Sequence, residues 1–439
     1  MNSQGSSVLS LAEDILEQAK AITHCYQANN VAVPTFPLQS SDPPTTPEYQ
    51  SLQNDLRTSI EDLQRLVEGP RKFLRSFAAQ VYDLASFQIA LDFEFFTIIP
   101  AEGEISFEEL SNRAGLDLDR VSRLVRMLIT FRFFEEKTPG FISHSSSSIV
   151  LLKDEELRCT VHYTLDELFK AAADSNVSLK STPFEADNQH CPFKTRHGLG
   201  IFEWYNANPH NASRFAKAMA GATRMDRHIN ELRDCFPWGN LRGTVVDIGG
   251  GSGHISMTLA KLFPHLKFVV QDQNEMLIEG QKLISDKVRD RMSFQRYSFF
   301  DPQPFKDAAA FFICQCTHNW CDRDVVTIFK SMVPGLESSK PGTPFLINDI
   351  IMPEPGIWPR LAEREVRQID IVMLVGFGAK QRIRAEFLAL LTEADPRYEI
   401  RNVYETGPRG LLEVYLVSMW SENNSVPMCQ VLNNSDLFW

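Results

Sequence analysis

Two rhythms of apolar residues divide the chain. Up to about Phe169, apolar side chains recur at spacings of three and four, as in SLQNDLRTSIEDLQRLVEG (51–69) and VYDLASFQIALDF (81–93), which predicts amphipathic helices. From Gly243 onward, short β-branched runs such as TVVDIGG, KFVVQD and AAFFICQC alternate with helical segments. This alternation predicts an α/β fold with a doubly wound parallel sheet. The last two runs, within 397–420, predict an antiparallel hairpin at the sheet edge.

Breaks in these rhythms give the segmentation of the chain. The Pro-, Ser- and Thr-rich stretch 32–47 predicts a linker after a short helix. In 105–145, Ser106 and Asp117 are expected helix N-caps, Gly115 ends a helix, and FRFFEE…GFISH predicts a hairpin wing, which together predict a winged-helix-like domain. The polar stretch 171–197 predicts irregular structure, with HCPFKTRHG resembling a surface loop, before a second helical segment.

We therefore predict five segments, namely an N-terminal helix and linker (1–48), a mainly helical winged-helix-like domain (49–170), connecting helices (171–240), the α/β domain (241–425) and a C-terminal tail (426–439).

Charge and hydropathy exclude several classes of partner. A net charge of -12 and the absence of a basic stripe argue against nucleic acid. The candidate recognition helix, 118–131, offers only Arg120, Arg123 and Arg126 amid apolar residues, so we favour an interaction or dimerisation role for that domain over DNA binding. The sequence has neither a basic, apolar signal-like start nor a run of about 18 apolar residues, so a cytoplasmic location without membrane insertion is expected.

The eight cysteines are too sparse for a disulfide framework and are expected to be reduced. Cys314, Cys316 and Cys321 form the closest group, for which we favour packing over zinc because no paired ligand motif accompanies them. No metal site is predicted.

A glycine-rich loop follows the first strand of the predicted sheet, in VVDIGGGSG (245–253). Such a loop lets the backbone turn sharply and approach a ligand closely. The dinucleotide pattern G-x-G-x-x-G fails because His254 stands at its last position, and the Walker lysine is absent. Asp272, at the end of the next strand, can accept both hydroxyl protons of a ribose, although capping of the following helix is an alternative. An adenosine-type ligand is therefore predicted.

At this point the residues resemble a known family. VVDIGGGSGHISMTLAKLFPHLKFVVQD is similar to the cofactor segment of plant and fungal class I S-adenosylmethionine-dependent O-methyltransferases, especially fungal enzymes that methylate polyketides and other secondary metabolites. ALDFEFFTIIP, ISFEEL and RLVRML resemble their N-terminal dimerisation domain, and FFDPQP, HNW, DIIMPEPG and GAKQR follow in the family's order. The resemblance implies a homodimer and a Rossmann-like domain that binds S-adenosylmethionine and releases S-adenosylhomocysteine.

The resemblance also assigns roles to residues. The implied cofactor contacts are Asp247, Gly249, Gly250, Gly251, Gly253, Asp272, Gln273, Ser298, Phe299 and Cys314. The implied catalytic residues are His318, as the general base, and Asp349 and Gln381, which orient it. Histidine suits the removal of a phenolic proton near neutral pH. The residues implied for the pocket of an aromatic or polyketide-like acceptor are Phe215, Met219, Trp320, Val372, Met373 and Gly376, with core packing as the alternative.

Four positions depart from the family pattern. Asn319 replaces an aspartate, Cys314 a basic residue, Ser298 an acidic residue, and Gln381 a glutamate. Because these positions surround the base and the cofactor, two alternatives stay open beside O-methylation of a phenol or enol. One is a pericyclic or dehydrative reaction on a methyltransferase fold, and the other is a non-catalytic binding role.

Overall fold

The chain forms two compact units in the computed structural model, which describes residues 7–226, 229–405 and 409–417. The helical unit comprises the residues up to Glu231 together with His318–Cys321 and Ile351–Ile383. The sheet unit comprises Leu232–Thr317, Asp322–Ile350 and the residues from Arg384 onward. The predicted tail, 426–439, lies outside the described residues.

The helices of the described chain are α1 (Val8–Ala28), α2 (Pro47–Asp92), α3 (Phe95–Ile98), α4 (Phe107–Ala114), α5 (Leu118–Thr130), α6 (Ser146–Lys153), α7 (Glu155–Tyr163), α8 (Lys170–Ala173), α9 (Ser175–Ser181), α10 (Pro192–His197), α11 (Ile201–Ala207), α12 (Pro209–Asp226), α13 (Ile229–Cys235), α14 (His254–Leu262), α15 (Asn274–Leu283), α16 (Asp322–Glu337), α17 (Arg360–Phe377) and α18 (Arg384–Ala394). The strands are β1 (Ile105–Ser106), β2 (Phe134–Glu135), β3 (Phe141–His144), β4 (Gly243–Ile248), β5 (Leu266–Asp272), β6 (Met292–Arg296), β7 (Ala310–Cys314), β8 (Phe345–Ile350), β9 (Tyr398–Glu405) and β10 (Arg409–Leu416).

The sheet unit is built on seven strands in the order β6-β5-β4-β7-β8-β10-β9. The first five are parallel, and β10 runs antiparallel to both β8 and β9. The predicted α/β sheet and its antiparallel edge are therefore confirmed. Ile248 of β4 lies opposite Gln271 of β5 and Ile313 of β7. Gly249, Asp272 and Cys314 consequently reach the same carboxyl edge of the sheet.

The predicted helix ends in the N-terminal half are confirmed. Ser106 Oγ accepts the backbone N–H of Glu109 at the start of α4, and Gly115 ends that helix in the left-handed conformation. Asp117 then caps α5. The predicted hairpin strands are β2 and β3, and β3 also pairs with β1, so a small antiparallel sheet packs with these helices.

The irregular structure predicted for 171–197 is found at 182–190, whereas the surface loop predicted at HCPFKTRHG is wrong. Helices α8 and α9 precede residue 182, α10 covers Pro192–His197, and Cys191 and Phe193 are fully buried. Pro192 stands in the first turn of α10, where its fixed φ favours a helix, and Phe193 packs edge-on against Trp204. Tertiary packing of two apolar side chains therefore overrode a polar local composition.

Helix α2 presents apolar residues to solvent. It bends at Gly69 (φ 70°), directly before Pro70. Beyond the bend, Leu74, Phe77 and Val81 are exposed. None of the helices in the described ranges combines the length and the hydrophobicity that crossing a bilayer requires.

Candidate functional site

The glycine loop after β4 is joined to the end of β5 through Asp272. Gly249, Gly251 and Gly253 have φ values of 65°, 59° and 77°, which glycine adopts without the strain that a Cβ would bring. The backbone N–H of Gly251 donates to Asp272 Oδ2 at 2.7 Å, and the N–H of Gln273 donates to Oδ1 at 2.7 Å. The loop and this carboxylate are therefore joined in one hydrogen-bonded element.

Asp272 keeps hydrogen-bonding capacity for a ligand. Each carboxylate oxygen accepts one backbone N–H and has a further lone pair, so the group can also accept two hydroxyls. Burial raises the pKa of Asp272 above its ordinary value, and the donors at Gln273 and Gly251 oppose that rise. Its bond to Gln273, the N-cap of α15, shows that it also fixes the start of that helix.

Gly250 approaches the carboxylate of Asp247 closely. Asp247 is 1% exposed, and its Oδ2 accepts the hydroxyl of Ser256 at 2.6 Å. A Cβ on Gly250 would lie 2.5 Å from that same oxygen, so only glycine fits there. At Gly249, a Cβ would lie 3.4 Å from the Phe299 ring. Sequence analysis missed the part played by Ser256, which lies nine residues beyond Asp247 and bonds it from the helix that follows the glycine loop.

The structure brings most of the predicted cofactor residues together at this edge of the sheet. Two of them, Cys314 and Ser298, already form hydrogen bonds within the protein. Cys314 ends β7 at the same level as Gly249, and its thiol bonds Asn348 Oδ1 on β8. Ser298 Oγ accepts the N–H of Phe300 at 3.4 Å, which is a contact within its own turn.

Asp349, predicted to orient the base, is 2% exposed on β8. Its Oδ2 accepts the hydroxyl of Thr317 at 2.6 Å, and its Oδ1 accepts the N–H of Ile350 at 3.0 Å. Thr317 immediately precedes His318 in a short 3₁₀ turn, Thr317–Asn319. Asp349 therefore fixes the residue to which the predicted base is covalently attached. Sequence analysis missed Thr317, and its adjacency to His318 was the signal available.

A buried arginine ties the segment after His318 to two other stretches of the helical unit. Arg382 is fully buried, and its Nη2 donates to the backbone oxygen of Trp320 at 2.8 Å. The backbone oxygen of Arg382 accepts the N–H of Met352 at 2.9 Å, and Arg382 forms an isolated parallel β-bridge with Ile351. Sequence analysis did not predict this role, because the contact joins residues 62 positions apart.

Gln381 lies directly before this arginine. Its backbone N–H donates to Asp370 Oδ1 at 2.7 Å, and the residue is 4% exposed. Within the part of the chain that the structure describes, neither its amide oxygen nor its amide nitrogen has a hydrogen-bond partner.

Aromatic and apolar side chains surround the predicted acceptor residues of the helical unit. Trp320 stacks on Phe202 with ring centroids 6.3 Å apart, and Phe215 stacks on Tyr205 at 4.6 Å. Phe215, Val372 and Met373 belong to one apolar cluster, and Gly376 faces Leu168 and Ile201 across it. Met219 is exposed over 38% of its surface and lies outside that cluster.

A buried polar network holds Phe215 in place. Glu167, 1% exposed in the π-helical segment Thr164–Phe169, accepts hydrogen bonds from Tyr205 Oη, Asn211 Nδ2 and Arg214. Because every one of these partners lies on α11 or α12, the carboxylate fixes both helices against the π-helical turn. No local pattern in the sequence indicated this network.

Comparison with known proteins identifies the family. A family model described as an O-methyltransferase domain matches residues 178–396. The chain is 53% identical to O-methyltransferase sol2 of Alternaria solani over 412 residues, which covers 94% of this chain and 96% of sol2. The chain belongs to the O-methyltransferase family. This O-methyltransferase is also 29% identical to chlorophenol O-methyltransferase of Trichoderma longibrachiatum, over 91% of this chain and 87% of that protein.

The fold of this O-methyltransferase matches a solved structure of OxaC in complex with sinefungin and meleagrin. The TM-score is 0.77 at 20% identity, and the match covers 94% of this chain and 100% of OxaC. The predicted resemblance to fungal secondary-metabolite O-methyltransferases and the predicted fold class are confirmed. The enzyme class, with S-adenosylmethionine as methyl donor, is confirmed by the family.

Proposed function

We propose that this enzyme methylates a hydroxyl of a phenolic or enolic small molecule, a fungal secondary metabolite of aromatic or polyketide type. The observation that carries the proposal is the hydrogen bond of 2.7 Å between Gly251 N–H and Asp272 Oδ2. It joins the glycine loop to a carboxylate that can accept hydrogen bonds from the ribose hydroxyls of the methyl donor. A relative with 29% identity is named for its action on a chlorophenol, which supports a phenolic acceptor here.

We assign the cofactor contacts to residues of the loop and of the strand ends beside it, namely Asp247, Gly249, Gly250, Gly251, Gly253, Asp272, Gln273, Ser298, Phe299 and Cys314. S-adenosylmethionine supplies an electrophilic methyl group when bound. The protein contributes the ribose acceptor at Asp272 and a backbone loop that approaches without side-chain obstruction. The protein then has to position the acceptor oxygen and remove its proton, and little other chemistry is required of it.

His318 is the proposed general base. A neutral imidazole accepts the acceptor's hydroxyl proton as the oxygen attacks, since its basicity suits a phenol near neutral pH. The carboxylate of Asp349 holds the preceding residue, Thr317, and the buried guanidinium of Arg382 holds Trp320. Anchors on both sides of His318 support a fixed position for its ring.

The acceptor is proposed to lie against Phe215, Met219, Trp320, Val372, Met373 and Gly376. The aromatic neighbours Phe202 and Tyr205, and the fixing of Phe215 by the Glu167 network, support a flat apolar ligand there. The partial exposure of Met219 supports a position at the rim of such a pocket rather than in its interior.

We further propose a homodimer formed through α2. Leu74, Phe77, Val81 and Leu84 follow the a and d spacing of a coiled-coil seam, and each is exposed, Leu74 over 64% of its surface. A double substitution, Leu74→Glu with Phe77→Glu, is expected to yield a monomer in light scattering, whereas Gln80→Glu, on an exposed neighbouring position, should leave the mass of the assembly unchanged. A wild-type protein of monomer mass would contradict the proposal.

The reaction is tested with S-adenosylmethionine labelled in its methyl group and a set of naphthols. The expected product has gained one labelled methyl, and His318→Ala should lower its rate by about 10² to 10⁴ while leaving calorimetric binding of S-adenosylmethionine intact. His210→Ala, at an exposed position of α12, is the matched control. Consumption of a polyene or quinone methide without gain of label would instead favour the pericyclic or dehydrative alternative.

A further inference from the structure

Gln381 is one of several residues of the helical unit with a buried, unsatisfied side-chain polar atom, and it is the one of them whose two amide atoms both lack a partner in the described residues. Gln381 is 4% exposed, and within the described ranges neither its amide nitrogen nor its amide oxygen has a hydrogen-bond partner. Folded proteins pair nearly all such groups, because a buried polar group without a partner has lost its hydrogen bonds to water and gained none in return. An orphaned amide that persists therefore points to a ligand that completes it.

Hydrogen bonds anchor the chain at Gln381 and at the residue that follows it. Its own N–H is held by Asp370 at 2.7 Å. The next residue, Arg382, is fully buried and is bonded through its carbonyl to Met352 and through its guanidinium to Trp320. The backbone that carries the amide is thus anchored, which favours organisation of this group before binding.

The neighbours of Gln381 along the chain belong to the proposed acceptor site. It follows α17, which carries Met373 and Gly376, by four residues. Through Arg382 it is tied to the segment of His318 and Trp320. A ligand that reaches this amide would therefore be the acceptor itself.

Resting on the function proposed above, we propose that Gln381 selects acceptors in which a carbonyl oxygen stands beside a hydroxyl. A primary amide offers a donor and an acceptor side by side, so its nitrogen donates a hydrogen bond to the carbonyl oxygen, and its oxygen accepts one from the hydroxyl until His318 removes that proton. The glutamate usual at this position in the family would present only acceptor oxygens when ionised and would repel the carbonyl. The substrate class is thus an ortho-hydroxyaryl ketone or an enolised β-dicarbonyl.

Binding calorimetry on the enzyme saturated with S-adenosylhomocysteine tests this without requiring turnover. The two probes are 2-acetyl-1-naphthol and 2-ethyl-1-naphthol, which differ in the carbonyl. The wild type should bind the ketone about 10- to 100-fold more tightly, the range that one or two buried hydrogen bonds supply. Gln381→Met, of similar size but apolar, should bind both probes equally, and Gln368→Met, on an exposed position of α17, should retain the preference.

Three results would overturn the inference. The first is equal binding of both probes by the wild type, and the second is a preference that survives in Gln381→Met. The third is a lower unfolding temperature of Gln381→Met, because an orphaned amide replaced by an apolar group should leave stability equal or higher. Labelled methyl transfer, measured in parallel, reports separately on the proposed function, so that a protein that prefers the ketone but transfers no methyl would retain this inference alone.

Discussion

Replacing Asp272 by asparagine keeps the size of the side chain but removes the charge that the glycine loop surrounds. The two carboxylate oxygens accept the N–H groups of Gly251 and Gln273, each at 2.7 Å. Asparagine has a single acceptor oxygen, so its NH₂ must face one of these two donors. One backbone bond is lost, and one ribose hydroxyl loses its acceptor.

The expected cost follows from the strength of a hydrogen bond to a charged group. Such a bond contributes about 1.5–3 kcal/mol, and each 1.4 kcal/mol corresponds to about a factor of ten in affinity. Asp272→Asn should therefore raise the Kd for S-adenosylmethionine by roughly 10- to 150-fold. Asp286→Asn, which neutralises a carboxylate that is 95% exposed in the same unit, should leave the Kd unchanged.

Calorimetric titration over a range of pH gives a second, independent readout. Burial raises the pKa of Asp272, so the ionised form that accepts both hydroxyls is lost on acidification at a higher pH than for an ordinary aspartate. Wild-type affinity should be constant near neutrality and fall as the pH drops through that raised pKa. Asp272→Asn should show no such fall. A variant that binds S-adenosylmethionine like the wild type would refute the assignment of Asp272 as the ribose acceptor.

Two further substitutions test the loop and the helical unit. Gly250→Ala would place a Cβ 2.5 Å from Asp247 Oδ2, so we expect a loss of about 1–3 kcal/mol in stability and weaker S-adenosylmethionine binding, whereas Gly239→Ala, with open space around its Cβ, should change neither. Hydrogen bonding to Arg364 lowers the pKa of Glu61 from 4.5 to about 2, so its stabilisation is complete above the unfolded-state value near 4.5 and is lost as the pH falls toward 2. Glu61→Gln should cost about 0.5 kcal/mol at pH 7 and reduce the loss of stability on acidification between pH 4.5 and 2 in thermal unfolding, and an unchanged acid limb would contradict this role.

Local patterns were sufficient for the parts of this protein that depend on neighbours in sequence. The strands around VVDIGGGSG and KFVVQD follow from β-branched runs, and the helix ends at Ser106 and Gly115 follow from cap chemistry within one turn. The meeting of the loop with Asp272 was also predictable, because parallel strands end at a common edge.

Tertiary structure alone decided the contacts between distant segments. Thr317 meets Asp349 across 32 residues, and Arg382 meets Trp320 across 62, so neither pair leaves a periodic trace. The burial of Phe193 within a polar stretch likewise depended on the aromatic side chain of Trp204. Periodicity reports which face of an element is apolar, whereas it does not report which element covers that face. The sequence therefore determined the family and the cofactor loop, and the folded structure determined that the amide of Gln381 is buried without a partner in the described chain.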